Sequence, residues 1–140
     1  FMEPIYEMLE KDRGKVIYFD FWVKWCPPCL TEMEPLKQLR SKYSTKDLVI
    51  YSICGSEPKE EGEEGLDKYS LRNRGIECIY ANDFFGKENY QKICNQWNVH
   101  DMPYYILINR KGQIIDFGSS ARPSNPNLRS RIEEAVKNIK

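Results

Sequence analysis

The chain has 140 residues, 41% of them apolar and 30% charged, and its 21 basic and 21 acidic side chains cancel. That length suits a single domain, residues 1–140, with one core, and the composition is that of a globular fold rather than a disordered one. Balanced charge leaves no broad electrostatic footprint for nucleic acid, and no apolar run approaches the roughly 20 residues of a bilayer-spanning helix, so membrane insertion by this domain is not expected.

Pro4, Ile5, Met8 and Leu9 give a short helical face, with the proline in the first turn and Gly14 as a stop. From about Lys15 to Val23 a strand follows, apolar on both faces except at Asp20. Leu30, Met33, Leu36 and Leu39 then recur at spacings of three in a segment from Cys26 to about Tyr43, which suits a helix lying on a sheet. Pro35 is expected to kink that helix, because the carbonyl four residues back loses its donor. Leu48 to Cys54 is a second continuous apolar run, so strand, helix and strand follow in the order of a right-handed parallel crossover.

The composition then changes. "GSEPKEEGEEG" reads as an exposed loop, Leu66 to Arg74 as a helix ended by Gly75, and Ile76 to Ala81 as a short strand. Tyr90, Ile93, Cys94 and Trp97 fall at i, i+3, i+4 and i+7, an amphipathic helix. "YYILIN" and "QIIDF", joined by Arg110, Lys111 and Gly112, form two strands with a tight turn. Leu128, Ile132, Ala135, Val136 and Ile139 mark a last helix, which Asn127 is placed to cap. The sum is a mixed sheet covered by helices on both faces, an α/β sandwich.

Chemistry concentrates in "YFDFWVKWCPPC", residues 18 to 29. A Cys-x-x-Cys where a strand turns into a helix is a redox signature with a mechanical basis. With Cys26 as N-cap, Pro27 and Pro28 take the first two helical positions, whose N–H groups have no intrahelical partner, and Cys29 takes the third. The Cys26 sulfur then faces the positive helix end and accepts the Cys29 backbone N–H, which favours thiolate over thiol. Because prolines bring no donors, the Cys26 thiolate is expected to be held less strongly than with glycine at position 27. Upstream, Asp20 is a carboxylate inside an apolar strand, costly there unless paired, protonated or used.

"DFWVKWCPPC" resembles the active-site segment of the thioredoxin superfamily, and Met102-Pro103 resembles that superfamily's cis-proline loop. The "CLTEMEPLKQL" helix, the extra segment from about Ser56 to Asn95 and the "YYILINRKGQII" hairpin resemble one branch, the TlpA/ResA-like thiol-disulfide oxidoreductases of the bacterial envelope. The resemblance runs from Gly14 onward and implies a thioredoxin-like three-layer sandwich: a mixed central sheet, helices on both faces, and an insertion before the cis-proline helix-strand segment. Three features depart from the pattern. Pro35 falls six residues after the second cysteine rather than five, Met102 is neither small nor β-branched, and Leu48 to Cys54 lacks the lysine that thioredoxins place near the buried acid, leaving Ser52 as the nearest polar group.

The resemblance implies roles. Cys26 attacks a substrate disulfide and Cys29 resolves the mixed disulfide, while Asp20 shuttles a proton at Cys29, its pKa raised toward neutrality by burial; the alternative for Asp20 is a strand-edge carboxylate bonded to backbone. Pro103, in a cis bond, would leave the Met102 backbone free to pair with an extended substrate segment. Trp25, Pro27, Met102 and Pro103 are thus assigned to substrate contact, with surface packing as the alternative for Trp25. Implied partners are protein thiols and disulfides and an envelope electron-donor thiol protein. The implied location is periplasmic or envelope-associated, the chain from Phe1 being read as cut from a longer precursor. No cofactor is expected.

Five cysteines are an odd count, so at least one stays outside any internal disulfide. Cys94 reads as a small core residue. Cys54 and Cys78 pair if their strands are suitably adjacent, or remain two unlinked buried thiols. His100, the single histidine, either influences the thiols or is exposed and passive. Oxidase or isomerase chemistry on the same fold, a non-catalytic peptide-binding module and a metal site are the competing readings. Structural zinc wants four ligands, and no second close pair accompanies Cys26 and Cys29.

Overall fold

The run from Val16 to Trp22 is apolar at both parities of the strand repeat except at Asp20, so it can be satisfied only by burial on both faces. In the computed structural model, which describes residues 1–56, 60, 64, 71 and 74–139, it forms β1 (Val16–Trp22), the middle strand of a five-stranded sheet. β2 (Leu48–Cys54) lies parallel to β1, and β3 (Glu77–Tyr80) parallel to β2. On the other side β4 (Tyr104–Ile108) runs antiparallel to β1, and β5 (Ile114–Gly118) antiparallel to β4. The order across the sheet is β3-β2-β1-β4-β5.

Strand alternation divides the core in two. Val16, Tyr18 and Trp22 pack with Met33, Leu36, Leu39, Leu128 and Ile132 beneath α2 (Pro27–Thr31), α3 (Met33–Lys42) and α6 (Pro126–Lys137). Ile17, Phe19 and Phe21 pack on the opposite face with Ile5, Met8, Tyr90 and Ile93, from α1 (Glu3–Lys11) and α5 (Lys87–Gln96), with the single turn α4 (Ala81–Phe84) alongside. The result is a three-layer sandwich of the thioredoxin kind. By parity Asp20 belongs to the face of Tyr18 and Trp22, the face covered by α2.

The helix expected from Cys26 to about Tyr43 is two helices that meet at Glu32. Pro35 causes the interruption but does not mark it: lacking an N–H, it leaves the Thr31 carbonyl without a helical donor, so the break falls one turn earlier. α3 restarts with the Leu36 N–H donating to the Glu32 carbonyl at 2.9 Å. The last helix is capped by Asn125 rather than Asn127. Pro126 occupies the first helical turn, and Asn125 Oδ1 accepts the Asn127 N–H at 2.9 Å, so Asn127 is already inside. Ile139 lies past the helix end and is exposed. The strand expected over Ile76 to Ala81 is Glu77–Tyr80, and Ala81 opens α4. The loop and helix expected between Gly55 and Arg74 fall largely outside the described residues.

The β4–β5 turn is closed by the Asn109 N–H to the Gln113 carbonyl at 2.9 Å, with Gly112 at φ +79°, a conformation that suits glycine. Arg110 in this turn ties the base of the sandwich together. Its guanidinium donates to the Val136 carbonyl at 2.7 and 3.2 Å, to the Gly14 carbonyl at 3.1 Å and to Asp47 Oδ1 at 3.1 Å.

Candidate active site

The chain leaves β1 at Trp22 and enters α2 at Pro27, and Cys26 is the cap between them. Its backbone is extended, φ −111° and ψ 98°, and its Sγ accepts the Cys29 N–H at 3.3 Å. Pro27 and Pro28 fill the first two helical positions, where a missing N–H removes nothing the helix needs. Cys26 and Cys29 are joined in a disulfide with Cα atoms 5.2 Å apart. Cys26 is 9% exposed and Cys29 1%, so the outer sulfur is that of Cys26. Trp25 beside it is 59% exposed, and Pro27 is exposed as well.

Register brings the second half of the site to the same end of the sheet. Phe21 pairs with Tyr104, so Met102 and Pro103, just before β4, run alongside the end of β1 that carries Cys26. The Met102–Pro103 peptide bond is cis. Pro103 is buried, and half-buried Met102 packs against both halves of the core.

Asp20 is 3% exposed. Burial, reinforced by the Glu32 carboxylate, raises its pKa from 3.8 to about 8. The sequence led to a value near neutrality; the structure carries it beyond, so at pH 7 this carboxyl is mostly protonated. Across the sheet Asp20 stands between Ser52 on β2 and Tyr105 on β4. Ser52 Oγ accepts the Trp22 indole N–H at 2.8 Å. The Tyr105 ring stacks on Tyr18 at 5.7 Å, and Tyr18 donates its hydroxyl to the Ala121 carbonyl at 2.6 Å.

Glu32 is the site residue that reading the sequence missed. It is 5% exposed and accepts the Ser124 backbone N–H at 2.9 Å and the Ser124 hydroxyl at 2.7 Å. One signal was available: Glu32 stands three residues after Cys29, the spacing that puts two side chains on one helix face.

Other candidates stand apart. Cys54 and Cys78 are unlinked, for Cys54 is opposite Tyr80 and Cys78 opposite Ser52, an offset of two positions along neighbouring strands. Burial pushes the Cys54 thiol up, and its sulfur lies 3.3 Å from Ser56 Oγ. Cys94 is a buried thiol on the apolar face of α5, and His100 is exposed. Among the described residues no three His, Cys, Asp or Glu side chains converge as metal ligands, and no helix is long and apolar enough to cross a membrane.

A profile of the Redoxin family matches residues 7–135. The chain belongs to the Redoxin family. This Redoxin chain is 26% identical over 112 residues to the thiol-disulfide oxidoreductase ResA of Halalkalibacterium halodurans, a match covering 76% of this chain and 55% of that protein. It therefore spans about half the length of such curated relatives. Among solved structures it is similar to a Bacteroides vulgatus protein proposed to be a thiol-disulfide oxidoreductase, at 31% identity and TM-score 0.68, covering 90% of this chain and 76% of that one. It also shares its fold with the thioredoxin domain of the Bacteroides vulgatus thiol-disulfide oxidoreductase BVU-2223, at 19% identity and TM-score 0.74, covering 92% and 84% of the two chains.

Proposed function

We propose that this Redoxin domain is a dithiol-disulfide oxidoreductase that reduces protein disulfides in the bacterial envelope. The observation that carries the reading is the Cys26–Cys29 disulfide at the strand-to-helix turn, with Cys26 the more exposed of the two and Cys29 fully buried on the face that holds Asp20.

In the reducing direction the Cys26 thiolate attacks a substrate disulfide, forming a Cys26–substrate bond and releasing one substrate thiolate. Cys29 gives its proton to Asp20 in its ionised form, the minor one at pH 7, and attacks the Cys26 sulfur. The Cys26–Cys29 disulfide closes, and the second substrate sulfur leaves as thiolate and is protonated by solvent. Two electrons pass from the domain to the substrate. When a donor dithiol re-reduces the domain, protonated Asp20 returns its proton to the departing Cys29 sulfur; a pKa of about 8 suits both directions. Trp25, Pro27, Met102 and Pro103 line the approach, and the Met102 backbone offers hydrogen bonds to an extended substrate segment beside Cys26.

Resemblance to envelope oxidoreductases supports the location, and with it a membrane-linked thiol protein as electron donor. The test is reduction of insulin by the reduced domain: Cys26→Ser abolishes it, and Cys29→Ser accumulates a mixed disulfide through Cys26. Turnover that survives Cys26→Ser rejects the reading. Equilibration with glutathione then fixes the direction, a potential well below about −200 mV marking a reductant and one near about −120 mV an oxidant.

A further inference from the structure

Buried carboxylates are costly unless donors meet them. Glu32 lies in the break between α2 and α3, and its charge acts on Asp20. Both of its oxygens are engaged by one residue far away in sequence: Oε1 by the backbone N–H of Ser124 and Oε2 by the Ser124 hydroxyl. Ser124 is held in turn. It stands between β5 and α6 in a segment where the Asn125 side-chain amide donates to the Ser120 carbonyl at 2.8 Å and Arg129 Nε to the Pro123 carbonyl at 2.8 Å. The carboxylate is thereby fixed in one orientation by two donors on a braced loop.

Building on the reading of Asp20 as proton carrier, we infer that Ser124 is a positioning residue for the exchange: its N–H and hydroxyl hold the Glu32 carboxylate in one orientation at the break between the two helices that cover the Asp20 face of the sheet.

The other titratable groups around Asp20 do not compete for this role. Tyr18 on β1 and Tyr105 on β4 are pushed well above their ordinary value by burial, and the Cys54 thiol on β2 is raised by burial too. Cys26 at the cap of α2 and Cys29 within it carry no proton while joined. Asp116 on β5 acts on Tyr18 and is paired with Arg131 at 2.8 Å, and the Arg122 charge acts on Tyr105.

The test follows the Asp20 carboxyl carbon by NMR through a pH titration of the oxidised protein, beside the pH profile for resolution of a Cys26 mixed disulfide. Ser124→Ala deletes the hydroxyl and keeps the N–H; the Asp20 midpoint falls by about half a unit or more, and the resolution profile moves with it. Ser124→Thr restores the wild-type midpoint, whereas Glu32→Gln removes the charge and sets the limit of the downward shift. If alanine disturbs the turn, Ser124→Gly gives a second hydroxyl-free variant. A wild-type midpoint in the hydroxyl-free variants, with a lowered midpoint in Glu32→Gln, overturns the role of Ser124; no shift in any variant overturns the role of the pair. A resolution profile unaltered by Asp20→Asn rejects instead the underlying reading of Asp20, and the NMR midpoint separates that failure from the others.

Discussion

Trp22 donates its indole N–H to Ser52 Oγ at 2.8 Å, and Ser52 is the residue directly across the sheet from Asp20. The serine in the position beside the buried acid is therefore committed to anchoring a fully buried tryptophan near the turn that carries Cys26.

Removing that hydroxyl leaves the indole N–H without its acceptor in a layer with no solvent. Ser52→Ala is expected to cost about 1–3 kcal/mol and to alter the emission of Trp22. Guanidinium unfolding with fluorescence detection measures both. A loss below about 0.5 kcal/mol shows that the indole finds another acceptor.

Asp20 makes stability depend on pH. Its ordinary value is 3.8 and its folded value about 8, so between the two the folded chain holds a proton that the unfolded chain releases. Stability is therefore fullest below the lower value and is lost as pH rises through the upper one. Asp20→Asn removes this term, so its stability advantage over wild type grows from pH 5 to pH 8.5, reaching several kcal/mol. Denaturation midpoints of the two oxidised proteins at both pH values decide it; an advantage that does not vary with pH contradicts the raised pKa.

Arg110 reaches three separate segments: the end of α6, the α1–β1 turn and the residue before β2. Its planar fork serves several acceptors at once, which an ammonium cannot copy. Arg110→Ala is expected to lower stability by about 2–4 kcal/mol, with Arg110→Lys recovering less than half. The site lies at the other end of the sheet, so residual activity of the folded fraction should be unchanged, and a specific-activity assay alongside thermal melts tests the separation.

Pro27 brings no N–H to the neighbourhood of the Cys26 sulfur. Pro27→Gly adds a backbone donor at the first helical position, and the reduced variant is expected to hold a larger thiolate fraction at neutral pH. Thiolate absorbance during a pH titration reads this directly. An equal or smaller thiolate fraction removes the argument that the two prolines moderate the nucleophile.

Local pattern settled much of this protein. β2 spans the residues that its apolar run predicts, β1 is shorter by a residue at each end, and the Cys26 cap follows from which helical N–H groups lack partners. These features depend on neighbours in sequence, where periodicity and capping chemistry act. The helix break and the Asn125 cap were less legible, because Pro35 acts through a carbonyl one turn away and Pro126 sets where the last helix begins. Whether Cys54 and Cys78 could meet depended on register, and an offset of two positions keeps them apart. Only the tertiary structure decided the electrostatics of the site. Burial strength, the Glu32 charge and the Ser124 donors come from segments that the chain does not make adjacent, and a carboxyl's proton affinity is set by what surrounds it in space.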